Sequence, residues 1–150
     1  MKDVKRLKIC LSSSTMNEFW MDDKYEGDRI HIDWCTSPGA ELSTLEHMWR
    51  VDYGDITVPM DVLIIGGLID IIKNRSREQF MEAVESFYKA VAAKEGSTFV
   101  MATMFYPPQM CWTPDDGKPP TPNYVNKYEM MVKINDDIIE LLQDKDTVVS

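Results

Sequence analysis

The chain has 150 residues, with 25 Asp and Glu against 16 Lys and Arg, for a formal net charge of −9. That length fits one domain spanning 1–150, and 44% hydrophobic with 27% charged residues provide a packed core without the charge bias of a disordered chain. The acidity works against nucleic-acid backbones and anionic lipid surfaces. The longest apolar stretch, Val62 to Ile69, is too short to cross a bilayer, and no apolar run follows the charged N-terminus to make a secretory signal.

The first predicted element is a buried strand over Arg6 to Leu11, with Leu7, Ile9 and Leu11 on one face; it stops at Ser12-Ser13-Ser14-Thr15. Arg29 to Trp34 alternates Ile30, Ile32 and Trp34 as a second strand and ends at the turn Ser37-Pro38-Gly39. A helix follows, its core positions Leu42, Leu45 and Trp49 in i, i+3, i+7 register. Val62-Leu63-Ile64-Ile65 lacks polar alternation, as expected of a central strand covered on both faces, and Gly66-Gly67 closes it. After Leu68 to Asn74, Ser76 and Gln79 stand in capping-box register before a helix striped by Phe80, Val84, Phe87 and Val91, which Gly96 ends.

Ser97 to Met104 reads as the next strand. A proline-rich loop then runs from Tyr106 to Pro122, and a last helix starts near Thr121-Pro122, where proline fits the first turn. That helix is expected to present Val125, Tyr128, Val132, Ile139 and Leu142 to the core and to end near Asp144. Thr147-Val148-Val149 looks like the start of another strand just as the sequence reaches Ser150. Alternating strands and helices imply right-handed crossovers and an α/β, three-layer, mostly parallel sheet of flavodoxin-like order.

In such a sheet, ligands meet the loops at the carboxyl ends of the strands. There Ser12 to Ser14 offer hydroxyls either as a nucleophile or as helix caps. Gly66-Gly67 permits a tight turn or a close ligand approach, and Asp70 is either a carboxylate aimed into the cleft or a helix N-terminal residue satisfied by amides. Tyr106 and Trp112 make either a recognition loop or a flap pinned on the sheet edge. Neither histidine is placed as a catalytic base: His31 alternates within the second strand, and His47 falls mid-helix. Acidic pairs such as Asp22-Asp23 and Asp136-Asp137 read as a solvated face. The odd, widely spaced Cys10, Cys35 and Cys111 read as reduced thiols of a cytoplasmic or otherwise intracellular protein, with neither metal nor cofactor expected.

Taken in order, these segments resemble the SGNH hydrolase superfamily, also called the GDSL lipase/esterase family, over most of the chain. The resemblance puts Ser14 in the nucleophile's place after the first strand, with Ser12 and Ser13 where the family has Gly-Asp. It puts Gly39 in the place of the oxyanion glycine and Gly67-Leu68-Ile69-Asp70 in that of the Gly-x-Asn-Asp block, with Ile69 replacing the asparagine. The helix containing Ile134-Asn135 also fits the family layout. The Asp-x-x-His block has no counterpart, since no histidine follows His47 and the sequence stops about where that block's strand begins.

The resemblance therefore implies an SGNH-like binding or interaction domain without the full catalytic set. A protein partner or homodimer is expected, because a sheet lacking its last strand exposes an edge that invites strand pairing. The alternatives are a weak serine esterase acting on small esters through Ser14, and an RNA-binding module if Lys2, Lys5, Arg6, Lys73, Arg75 and Arg77 cluster on one side.

Overall fold

A computed structural model describes residues 5–13, 30–104, 122–143 and 148–149. Five strands, β1 (Arg6–Ser12), β2 (Ile30–Thr36), β3 (Met60–Ile65), β4 (Thr98–Ala102) and β5 (Val148–Val149), pair in the order β2-β1-β3-β4-β5. All four pairings are parallel. Between them run α1 (Leu42–Tyr53), the short α2 (Leu68–Ile72), α3 (Arg77–Ala92) and α4 (Pro122–Leu142). The class is α/β, with β3 central as its sequence implies.

Register gathers the core onto one sheet face. Leu7, Ile9 and Leu11 stand opposite Met60, Val62 and Ile64, which in turn stand opposite Phe99 and Met101 where β4 pairs, and all eight are almost fully buried. Onto this face α1 brings Leu42, Leu45 and Trp49, and α3 brings the predicted stripe Phe80, Val84, Phe87 and Val91. Phe87 links the layers, its ring 6.0 Å from Trp49 and 5.4 Å from Phe99. The predicted capping box is formed: Gln79 N–H donates to Ser76 Oγ and Ser76 N–H to Gln79 Oε1, at 3.0 and 2.9 Å.

One handedness rule explains why α1, α3 and α4 share this face. The steps from β2 to β3, β3 to β4 and β4 to β5 all run the same way along the sheet, so right-handed crossovers lay their helices on the same side. The step from β1 to β2 runs the other way, and its residues 14–29 lie outside those described. Where the sequence suggested cover on both faces, the burial of β3 alternates among the described residues: Met60, Val62 and Ile64 are sealed, while Leu63 and Ile65 are half-buried.

The phase of α4 differs from the expectation. Leu142 is buried as expected and Ile139 half-buried, but the other buried residues are Met131, Ile134 and Ile138, whereas Val125, Tyr128 and Val132 are 42%, 45% and 40% exposed. Both sets satisfy helical spacing, and polar contacts decide between them. Lys127, one turn before Met131, donates from Nζ to the carbonyls of Ile71 and Ile72 at 3.1 and 2.8 Å, satisfying the C-terminal end of α2. Asn135 faces the same way and binds β4's far end, as described below. Counting only apolar residues misses a buried face that carries a lysine and an asparagine.

The amino edge of the sheet is tied by Asp61. It accepts from Arg6 Nε at 2.8 Å, from the Arg6 guanidinium through its other oxygen, from Lys8 Nζ at 2.9 Å and from the Thr98 hydroxyl. The Arg6 hydrogen bonds hold its carboxyl well below the usual carboxylate range. A depressed carboxyl adds stability above its unfolded pKa and loses it as pH falls through the folded one. Asp61→Asn is therefore expected to cost about 1 kcal/mol at neutral pH, with the deficit closing below about pH 4. Urea melts across that range check this, and a deficit independent of pH would contradict it.

Candidate active-site cleft at the carboxyl edge

The carboxyl ends of β1, β3 and β4 open on a cleft of about 160 Å³ lined by Ser13, Ile65, Gly66, Leu68, Ala102, Thr103 and Met104. Its walls are built from backbone. Ser13 N–H donates to Ile65 O at 3.0 Å, continuing the β1–β3 ladder one residue past the strand, so the serine run is locked against the central strand. On the other side, Ser37 N–H donates to Ser12 O at 2.8 Å and Gly39 N–H to Ser13 O at 3.2 Å. Ser12 and Ser13 are consequently almost wholly buried.

Each glycine and carboxylate singled out by sequence has a definite structural task. Gly39 is the third residue of the turn Ser37 to Ala40, closed by Ala40 N–H to Ser37 O at 3.1 Å, with φ +80° after Pro38, as a type II turn requires. Its amide, the expected oxyanion donor, is engaged by Ser13 O. Gly67 has φ +106°, and a Cβ there would lie 2.5 Å from Phe80 Cζ and 3.1 Å from Met104 Sδ. Both its conformation and its lack of a side chain are thus required. Asp70 does not line the cleft. It is 4% exposed, and its Oδ2 accepts from the Leu42 amide at 3.0 Å, capping the start of α1 from α2. Of the two sequence alternatives, the amide-satisfied carboxylate is the one formed.

Burial raises the Asp70 carboxyl above its usual range, with the neighbouring Glu41 charge adding to it and the Leu42 hydrogen bond opposing. Glu41 is itself held by Arg75, with both carboxylate oxygens 3.2 Å from one guanidinium nitrogen, and by Lys73 at 3.6 Å. His47 is exposed on α1, and His31 lies within the edge strand β2. Ser14, Tyr106, Trp112 and Cys111 fall outside the described residues. Among those described, no three His, Cys, Asp or Glu residues group as a metal site, and no helix is long and apolar enough to cross a membrane. Cys10 and Cys35 are free thiols. Burial pushes Cys10 up to about 12, and Cys35 Sγ sits 3.3 Å from the Tyr53 hydroxyl, which donates to Asp33 at 3.0 Å.

Sequence reasoning missed Thr103, a residue of the cleft lining, and the working role of Asn135. From α4, Asn135 Oδ1 accepts from Met104 N–H at 2.8 Å while its Nδ2 donates to Met104 O at 2.9 Å. The available signal was an asparagine in i+4 register with Met131, next to Ile134, because buried amides need partners.

No protein-family model matches the chain, and no curated protein matches it in sequence. Solved structures do match its fold. A member of the lipolytic protein G-D-S-L family from Veillonella parvula superposes with a TM-score of 0.67 at 10% identity, over 97% of this chain and 77% of that one. The lipase/acylhydrolase from Enterococcus faecalis gives 0.59 at 10% identity, over 92% and 72%. A GDSL-like lipase from Bacteroides thetaiotaomicron gives 0.58 at 14%, over 95% and 67%. The chain therefore has an SGNH-hydrolase-like fold.

Three outcomes follow for the site's framework. Gly67→Ala is expected to destabilise by about 2–3 kcal/mol through positive φ and overpacking against Phe80; a thermal midpoint equal to that of the unmodified protein would contradict the geometry. Because a raised carboxyl contributes its stability fully below the unfolded pKa and loses it as pH rises through the folded one, Asp70→Asn should equal the parent near about pH 4 and exceed it near about pH 7. Asp70→Ala should fall below the parent by about 1 kcal/mol for want of the cap. Denaturant midpoints at the two pH values measure both.

Proposed function

We propose that this chain is a non-catalytic binding domain on a hydrolase scaffold, whose cleft receives a short, uncharged, largely apolar group carrying one polar atom. One observation carries the reading: at two of the positions that the family resemblance singles out, Gly39 and Asp70, the polar group is committed to holding the fold. Gly39 N–H is spent on Ser13 O, the Asp70 carboxyl caps α1, and Ile69 occupies the place of a side-chain amide donor. Loss of one oxyanion donor costs about 3–4 kcal/mol of transition-state stabilisation.

The lining supports the ligand class. Ile65, Leu68, Ala102 and Met104 give an apolar wall, and the Ser13 and Thr103 hydroxyls offer one or two hydrogen bonds. At about 160 Å³ the cleft is close in volume to the ~150 Å³ cavity that admits benzene. That the structural neighbours carry the names lipolytic protein and lipase agrees with an acyl-sized cleft. A protein partner or second copy is proposed at the β4–β5 edge, since among the described residues β5 pairs with Met101 and Ala102 alone. RNA is disfavoured because carboxylates offset part of the basic set: Asp61 pairs with Arg6 and Lys8, Glu41 with Lys73 and Arg75, and Asp137 with Arg77.

Two measurements decide between binding and catalysis. In protein carrying ¹³C-methyl methionine, 2-pentanone, a ketone isostere of a short ester, should shift the Met104 methyl resonance saturably. A fluorophosphonate probe should leave the unmodified protein unlabelled, and short aryl esters should be hydrolysed no faster by it than by Ser14→Ala. Labelling that disappears in Ser14→Ala would overturn the reading in favour of a serine esterase.

A further inference from the structure

We propose that Asn135 is the positioning residue of this cleft: its amide, reaching from α4, holds the backbone of Met104 by both polar groups and thereby fixes the wall that decides what the cleft admits. The inference rests on the binding role proposed above and assigns α4 a part in it. Strand β4 ends at Ala102, so Thr103 and Met104 lie beyond the ladder, with β4–β5 pairing reaching only to Ala102. Both nevertheless line the cleft. A free strand end would let them swing, but Asn135 supplies an acceptor at 2.8 Å and a donor at 2.9 Å in the arrangement a neighbouring strand would offer.

The Met104 side chain is fixed from the opposite direction. Its Sδ would be only 3.1 Å from a Cβ on Gly67, so the thioether lies over that glycine, beside the Phe80 ring. Held by α4 at its backbone and by Gly67 and Phe80 at its side chain, Met104 becomes a fixed wall between the central strand and β4. The Asn135 clip lies on the same stripe of α4 as Met131, Ile138 and Lys127. Lys127 is anchored to α2 at the carbonyls of Ile71 and Ile72, and α2 contributes Leu68 to the cleft. One helix therefore positions two walls of the cleft, through Asn135 on the β4 side and Lys127 on the α2 side.

The test compares Asn135→Leu, which keeps the branched shape and heavy-atom count but loses both bonds, with Asn135→Asp, which keeps only the acceptor. Ser97→Ala serves as the control, because it removes a comparable side-chain bond to backbone, Met60 N–H to Ser97 Oγ at 3.0 Å, well away from the cleft. All are read by 2-pentanone titration of the Met104 methyl and by amide hydrogen exchange at Met104. The two Asn135 variants should weaken 2-pentanone by about fivefold or more and speed exchange at Met104, with Leu the more severe, while Ser97→Ala loses stability with its affinity unchanged.

Parent-like affinity in folded Asn135→Leu would overturn the proposal, as would an equal loss in Ser97→Ala. Should 2-pentanone fail to bind the unmodified protein, the binding reading falls by itself. Asn135 is then judged on the Met104 methyl resonance of the ligand-free proteins: a displacement in Asn135→Leu and not in Ser97→Ala supports it, and identical spectra overturn it.

Discussion

The parallel pairing of β1 with β3 is the constraint from which the rest of the molecule follows. Its register, from Leu7 opposite Met60 to Ser12 opposite Ile65, puts six apolar side chains on one face and extends through Ser13 N–H to Ile65 O. A slip of one residue would turn that face to the other side and carry the serine run out of the cleft. At about 25 cal/mol per Å² of apolar surface removed from water, burying this face beneath the helices is a major stabilising term of the core. The cleft is where the same ladder runs out and the chain must turn.

What surrounds the cleft is unusually economical in its use of polar groups. Asp70 caps α1, Lys94 Nζ donates to the carbonyls of Gly54 and Ile56 at 2.7 and 2.9 Å at the other end of α1, Lys127 closes α2, and Asn135 closes β4. Each satisfies a helix or strand terminus that would otherwise leave backbone groups unpaired, a loss of about 1–3 kcal/mol per buried group. A carboxylate or amide committed in this way is not free to shuttle protons or to stabilise a developing oxyanion. The same physical fact thus supports the stability of the scaffold and the proposal that its role is binding.

How far the residues themselves announced this can be followed element by element. The capping box at Ser76 and the stripe from Phe80 to Val91 were legible because local hydrogen bonds and helical spacing act within a few residues. The strands were legible because their apolar runs are bounded by serine, proline and glycine. Helix α4 was legible as a helix but not in its rotation: Val125, Tyr128 and Val132 mimic a core face, while Lys127 and Asn135 resemble surface residues until their partners on α2 and β4 are known. Gly39, Gly67 and Asp70 were singled out as cleft residues, whereas the contacts they make, a type II turn, a close approach of Phe80 and a cap on α1, are ones that spacing does not encode.

The order of apolar runs, the turn residues between them and the handedness of crossovers were enough to determine a parallel α/β scaffold of hydrolase type with its cleft after β1 and β3. Those are consequences of covalent chirality and of burying apolar area, and both act along the chain. Which side chains face the cleft, which glycine amide remains available and which carboxylate is buried were decided only in three dimensions. They depend on hydrogen bonds between residues 26 to 31 positions apart, such as Gly39 to Ser13, Leu42 to Asp70 and Met104 to Asn135, and such bonds exist only once the sheet has brought their partners together.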